Sequence, residues 1–352
     1  MTTVAPQVVV FDAPRSVTLE AEELAALKPG EVRLRTLYSG ISAGTEITAY
    51  RGTNPYLHKK WDPQARLFRP GQEPSSKYPL RGWGYEEVGE VVEVAPDVAD
   101  IAVGARVFGT WGHRTHAVVT AEFARGRQMP AGLDPLLGIF SRIGSIALNG
   151  VHDGRIRIGE TVAVFGLGVL GQIVAQSAKR SGATVIGVDL HGPRLEQAQA
   201  LGAVDHAINP NGTAVAEAVK DLTEGRGADV CYEVTGASAA LNEAIRAAAY
   251  SARVVSMGFI QGGAPDLYLG EEFHHNRINL VCSQIFGTDP ELTYRWNALR
   301  LAQTAIRLQA EGVWNLRPLI SHVRPYGQAG ELFNILDTRP ADVMQAVLDF
   351  RG

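Results

Sequence analysis

The stretch TVAVFGLGVLGQ, beginning at Thr161, constrains the fold more than any other part of the chain. An apolar strand, Thr161 to Phe165, runs into Gly166, Gly168 and Gly171 at G-x-G-x-x-G spacing, and an amphipathic segment follows. Strand, tight glycine turn and helix in that order make one βαβ half of a doubly wound parallel sheet. The first glycine permits the turn, the second lets a pyrophosphate approach the backbone, and the third allows close packing of helix on strand. The helix start, at Val169 and Leu170, then presents unpaired N–H groups and the positive end of its dipole to phosphates. Leu170, Ile173, Val174 and Ala178 mark the buried face of that helix. A second strand, TVIGV, ends in Asp189, close to the expected spacing of about 20 residues beyond the glycines. A carboxylate there accepts hydrogen bonds from ribose hydroxyls and repels a 2′-phosphate, so NAD is expected rather than NADP. Arg194, at the next helix start, either reaches the adenosine ribose or is a surface cation.

From about Phe140 the βα alternation continues. TVAVF, TVIGV, HAIN, GADVCYEV, ARVVSMGF and INLVCSQIF read as strands, and PRLEQAQALG and SAALNEAIRAAA as helices. This pattern predicts a parallel sheet covered on both faces. Ligands bind such sheets at the carboxyl ends of the strands. That rule adds Val234, Thr235 and Gly236, then Gly258, then Ser283 and Gln284 as cofactor candidates. ELTYRWNALRLAQTAIRLQAEG reads as a long amphipathic helix, and the tail as strand, helix, strand. Before Phe140 the pattern differs. EVRLRTLY, EEVGEVVEV, ARVFGTW and HAVVTAEF alternate apolar and polar residues between turn signals, as short antiparallel strands of a small barrel or sandwich do. TNPYLHKKWDPQARLFRPGQEPSSKYP is polar and non-periodic, and reads as a long loop.

A chain of 352 residues with 45% hydrophobic residues is long enough for two domains. The net charge of -4, with scattered basic residues, excludes a nucleic-acid stripe. Cys231 and Cys282 both sit in apolar runs, which fits free thiols in a reducing compartment. No apolar run approaches the roughly 18 residues of a membrane helix, and MTTVAPQVVVFDAP lacks a signal-peptide pattern. A soluble, cytoplasmic protein without a membrane partner is expected.

With the glycine turn preceded by β-rich sequence, the chain resembles the medium-chain dehydrogenase/reductase family over nearly its full length. The resemblance implies a GroES-like β-barrel catalytic domain from residues 1–140 and 287–352, a Rossmann NAD-binding domain from 141–286, and a homodimer or homotetramer. Zinc members of that family read G-I-C-G-T-D and G-H-E-x-x-G-x-V at two ligand stretches. Here the chain reads GISAGTE, ending at Glu46, and GYEEVGEV, ending at Val91. Ser42 replaces the cysteine, Tyr85 replaces the histidine, and the third ligand position falls around Ser141. No cysteine precedes Cys231, so the four-cysteine lobe of a structural zinc is absent.

Zinc needs three or four N, S or carboxylate ligands in tetrahedral reach. Glu86 alone cannot supply them, and hydroxyls are poor ligands at neutral pH. His113 and His116, placed on a strand, point to opposite faces. No metal is therefore expected. GISAGTE, GYEEVGEV, SIALNGVHDG and FHHNRINLVCSQ are similar to a branch of 2-deoxy-scyllo-inosamine dehydrogenase-like proteins, which implies alcohol oxidation on a small-molecule sugar or cyclitol.

Without zinc a side chain must act as general base, a contribution of about 10²- to 10⁴-fold. Glu46, Tyr85, Glu86, His113 and His116 can move protons, while Ser42, Thr45 and Ser141 can orient a hydroxyl. Tyr85, Glu86, His113, Glu46 and Ser42 are the catalytic candidates. Thr45, Trp83, Trp111, His116 and Ser141 are the candidates for substrate contact, the two tryptophans because aromatic faces stack on sugars. Two other classes stay open: a zinc-free NAD(P)H-dependent quinone or enoyl reductase, and a non-catalytic nucleotide-binding protein.

Overall fold

The computed structural model describes residues 6–352. These form two compact units, one comprising the residues up to Arg142 with Arg317–Gly352, the other Ile143–Leu316. The first unit runs through β1 (Gln7–Ala13), β2 (Ser16–Ala21), β3 (Glu31–Ile41), α1 (Thr45–Arg51), β4 (Lys60–Asp62), β5 (Leu67–Arg69), β6 (Leu80–Arg81), β7 (Glu86–Val94), β8 (Arg106–Gly109), β9 (His116–Thr120) and α2 (Ala121–Arg125). Helix α3 (Phe140–Gly154) carries the chain into the second unit. There β10 (Thr161–Phe165), α4 (Val169–Arg180), β11 (Thr184–Val188), α5 (Gly192–Ala200), β12 (His206–Ile208), α6 (Val215–Leu222), β13 (Ala228–Glu233), α7 (Ser238–Ala247), β14 (Ala248–Ser256), β15 (Asn279–Cys282) and α8 (Ala298–Ala310) follow. The return to the first unit adds β16 (Ile320–Pro325), α9 (Ala329–Thr338) and β17 (Gln345–Asp349).

The second unit is the expected Rossmann domain. Its strands pair in parallel in the order β12-β11-β10-β13-β14-β15, which read in chain order is 3-2-1-4-5-6, the dinucleotide-binding topology. All the carboxyl ends therefore lie along one edge. Val162, Ala163, Val164, Val185 and Val254 are fully buried, as strands covered on both faces require.

The first unit is β-rich and almost wholly antiparallel. Strands β16, β17, β3, β7 and β8 form one sheet, with β9 also paired to β3, and β2-β1-β6 form another. One core gathers Phe11, Ile41, Tyr50, Phe333 and Leu348, and a second gathers Val32, Leu34, Val91 and Val107. Burying each such side chain contributes about 1.5–3 kcal/mol.

Three sequence expectations are revised. The second unit extends to Leu316 rather than ending before residue 287, because α8 belongs to it: a Cβ added at Gly144 would lie 2.7 Å from the Ala305 Cβ and 3.1 Å from the Trp314 ring. Helix α8 is also shorter than the periodicity predicts. It starts at Ala298, where the Asn297 side chain accepts from Arg300 N–H at 2.9 Å, and the preceding residues make only a 3₁₀ turn at Pro290–Leu292. The long loop before β6 contains the β4–β5 hairpin, in which Trp61 faces Phe68. No helix among the described residues is long and apolar enough to cross a membrane.

Candidate active site

In the second unit the glycine turn follows β10 as its spacing predicts. Gly166 has φ +98°, a left-handed backbone that disfavours other residues. A Cβ on Gly171 would collide with the Gly166 carbonyl, whereas around Gly168 the nearest atom, of Arg194, is 4.0 Å away. Gly168 is the N-cap of α4 and supplies no side-chain cap, so the first N–H groups of that helix stay available to an anion. Asp189 follows β11. Its Oδ2 accepts from Leu167 N–H at 2.7 Å and its Oδ1 from His191 N–H at 2.8 Å. A carboxylate has about four acceptor sites, so lone pairs remain for ribose hydroxyls. Arg194 lies 3.8 Å from Asp189 Oδ2, which joins that cation to the acid rather than leaving it as a distant surface charge. Val234, Thr235 and Gly236 follow β13, Gly258 follows β14, and Ser283 and Gln284 follow β15. The parallel sheet thus brings the sequence-derived cofactor residues to one edge. Asn149 Nδ2 donates to Ser283 Oγ at 3.3 Å. The empty place over Gly168 and the uncapped helix start fit a dinucleotide.

In the first unit the structure builds a buried polar cluster. Strand β3 delivers Ser39 and, just past its end, Ser42; α1 delivers Thr45 and Glu46; β7 opens with Glu86 and Glu87. Glu46, Glu87 and His113 are fully buried and Glu86 nearly so. His113 Nε2 sits 2.6 Å from Glu46 Oε2, and its Nδ1 sits 2.6 Å from Ser39 Oγ. Ser39 Oγ donates to Glu87 Oε1 at 3.0 Å. The two ends of this chain are closed by backbone donors, Ser42 N–H to Glu46 Oε1 at 3.0 Å and Trp111 N–H to Glu87 Oε2 at 2.6 Å. Donor counting along Glu46–His113–Ser39–Glu87 leaves one shared proton, placed on Glu87, on His113 as imidazolium, or on Glu46. Every arrangement carries one net negative charge.

Tyr85 donates to Ser42 Oγ, which also accepts from Thr45 N–H at 3.3 Å. The Tyr85 hydroxyl meets the Thr45 side chain as well. Burial first, then Glu86 and Glu46, pushes the Tyr85 phenol far above its ordinary range, so it stays protonated. Burial, then Glu46 and Glu87, likewise raises the Glu86 carboxyl well above the usual range; Gln345 Nε2 donates to its Oε2 at 3.2 Å. Burial raises Glu87 too, against the pull of His113. For His113 burial favours the neutral ring, but the neighbouring Glu46 and Glu87 outweigh it and raise the ring above its ordinary range.

The other candidates lie elsewhere. His113 follows Gly112 in the turn before β9, outside any strand, and it faces inward because Glu46 and Ser39 bracket it. His116 opens β9 opposite Arg35 and bonds Thr115 Oγ1 at 3.1 Å; burial, with Arg33 and Arg35, holds its ring neutral. Trp83 packs on the Phe11 core, and Trp111 donates from Nε1 to Thr36 at 2.9 Å and packs on the Val32 core. Both are half-buried against core side chains rather than laid out as a floor. Ser141 is buried in the first turn of α3. Sequence reasoning missed Ser39, Glu87 and Gln345. The available signal was the pair of adjacent glutamates that opens β7.

Residues 169–303 match the family described as zinc-binding dehydrogenase. Over 352 residues the chain is 32% identical to the D-guloside 3-dehydrogenase of Shigella flexneri, covering 97% of this chain and 99% of that protein. The chain belongs to the medium-chain, zinc-binding-type dehydrogenase family, a family of oxidoreductases. Solved structures share the fold. One from Sinorhizobium meliloti 1021, bound to NADP, matches with a TM-score of 0.78 at 20% identity, over 99% of this chain and 100% of that one. A short chain alcohol dehydrogenase from E. coli CFT073 complexed with NADH matches with a TM-score of 0.77 at 21% identity, over 98% and 100%.

Proposed function

We propose that this protein is an NAD-dependent, zinc-independent dehydrogenase that oxidises a secondary alcohol of a sugar or cyclitol, or reduces the corresponding ketone, as a cytoplasmic homo-oligomer of the 2-deoxy-scyllo-inosamine dehydrogenase-like branch. The observation that carries this reading is the hydroxyl pair Tyr85–Ser42, backed by the buried Glu46–His113 chain. The family resemblance puts Ser42 and Tyr85 at zinc-ligand positions. Two hydroxyls bonded to each other, one of them a phenol held protonated, are not zinc ligands. Of the neighbouring acids, Glu86 accepts from Gln345, and Glu46 is taken up by His113 and the Ser42 N–H. The donor set does not fit a catalytic zinc.

NAD, when bound, accepts the hydride. The chain's own part is to orient the alcohol and take its proton. Ser42, Thr45 and Tyr85 form the hydroxyl cluster that holds the substrate oxygen. The Glu46–His113–Ser39–Glu87 chain behind them carries one net negative charge and is the proton acceptor, becoming neutral on uptake. Asp189 supports NAD over NADP, because its carboxylate opposes a 2′-phosphate. The relative named for a D-guloside supports a glycoside or sugar hydroxyl as the reacting group.

The test is a panel of sugars, glycosides, cyclitols and polyols with NAD and with NADP, following reduced cofactor by absorbance. NADH formation on a sugar or cyclitol, with NAD at least tenfold preferred, is expected. NADPH-preferring reduction of quinones or enones would replace this reading with the reductase. Tight NADH binding without turnover across the panel would replace it with a nucleotide-binding protein.

A further inference from the structure

Glu233 is the last residue of β13 and is fully buried. Its Oε1 accepts from Thr235 N–H at 2.6 Å, from the Thr235 hydroxyl at 2.6 Å and from Gly236 N–H at 2.8 Å. Its backbone carbonyl accepts from Met257 N–H at 2.8 Å and Gly258 N–H at 3.1 Å. One residue thus closes the turn after β13 and the turn after β14. The glycine turn after β10 is tied to the same place: Val234 N–H donates to the Phe165 carbonyl at 2.9 Å, and a Cβ on Gly166 would lie 2.7 Å from Thr235 Cγ2.

The second carboxyl oxygen behaves differently. Glu233 Oε2 is buried and has no hydrogen-bond partner. The backbone of the β14 turn lies against it, since a Cβ on Gly258 would fall 2.7 Å away. An ionised carboxylate with one bare buried oxygen is costly. A neutral carboxyl lowers that cost by carrying its proton on Oε2 while Oε1, as the carbonyl oxygen, keeps the three donors. Burial favours that neutral form, and the donors from Thr235, Gly236 and Ala237 offset it only in part.

We propose that Glu233, as an uncharged acid, is a positioning residue for the dinucleotide: it fixes three strand-end turns against one another so that they form the cofactor's floor. The inference rests on the cofactor reading above. It does not depend on the substrate or on the absence of zinc. The requirement is for a planar group with one acceptor oxygen and a neutral second arm. Glutamine meets it, whereas alanine does not.

The experiment is NADH binding by fluorescence titration on wild type, Glu233→Gln, Glu233→Ala and Thr235→Ala, with thermal unfolding of each. Glu233→Gln is expected to bind NADH within about twofold of wild type. Glu233→Ala is expected to bind at least tenfold more weakly, with KM for NAD raised and kcat at saturating NAD retained. Thr235→Ala, which removes one donor, should fall between them, and it serves in place of Glu233→Ala if that variant does not fold. Unchanged binding in a folded Glu233→Ala, or in Thr235→Ala when that variant stands in for it, overturns the positioning role. Glu233→Gln as weak as Glu233→Ala overturns the neutral acid. Wild-type protein that binds neither NADH nor NADPH overturns the cofactor reading itself, and this inference with it.

Discussion

Both units bury acids, and they satisfy them by different means. In the Rossmann unit, Asp189 and Glu233 are held by backbone N–H groups of neighbouring turns. In the first unit, backbone N–H groups also reach Glu46 and Glu87, but each of Glu46, Glu86 and Glu87 has a side-chain partner as well, His113, Gln345 and Ser39 respectively, and Glu46 and Glu87 share one imidazole. Backbone donors cannot change their protonation, so an acid with no titrating partner in hydrogen-bond contact is a fixed part of a scaffold. Side-chain partners that titrate can pass a proton among themselves. On the proposed reading, the difference divides the work: cofactor binding in one unit and proton chemistry in the other.

The assignment breaks first if Tyr85→Phe leaves turnover intact. Loss of that hydroxyl from the cluster at Ser42 is expected to lower kcat by about 10²-fold or more, while NADH affinity stays at the wild-type value. A variant that loses cofactor binding along with turnover would erase the division between the units.

His113→Ala sharpens the comparison through stability. Removing one partner of a buried ion pair strands the other charge and costs about 3–5 kcal/mol. The expected readout is a lower denaturation midpoint together with lost turnover. Stability within about 0.5 kcal/mol of wild type would mean that the pair is not buried as described.

The smallest expected effect is on pH dependence. Burial raises Glu87 and Glu86, and Glu46 with Glu87 raises His113 against burial. A group whose folded value is raised contributes stability that is whole below its unfolded value, about 4.3 for Glu and 6.5 for His, and that is lost as pH rises through the folded value. Thermal stability should therefore decline from mildly acidic toward alkaline pH. Glu87→Gln should flatten part of that decline, by about 1 kcal/mol or less. An identical slope in wild type and variant would place the sensitivity elsewhere.

How much of this was legible in the sequence follows the same division. The glycine turn, Asp189 and the strand-end residues were readable because backbone geometry demands particular residues at short spacing. The hydroxyl pair was visible only as a departure from a familiar ligand pattern at Ser42 and Tyr85. Glu46, Glu86 and His113 were legible as candidates, but their contacts, and the parts played by Ser39, Glu87 and Gln345, were hidden: His113 reaches Glu46 across 67 positions, Ser39 reaches His113 across 74, and Gln345 reaches Glu86 across 259. Such contacts are made by sheet register, which local pattern does not encode. The late return of the chain at Arg317 was hidden for a related reason, since the packing of α8 depends on Gly144, far back in α3.

The most direct measurement of the central claim is turnover of protein stripped by a strong chelator, with residual metal quantified by mass spectrometry. If hydroxyls and the buried acid–imidazole chain handle the substrate proton, activity on the responsive sugar or cyclitol persists at far less than one metal ion per chain and does not rise when zinc is added. Activity that disappears on stripping and returns with stoichiometric zinc would contradict the account and restore a metal to the site.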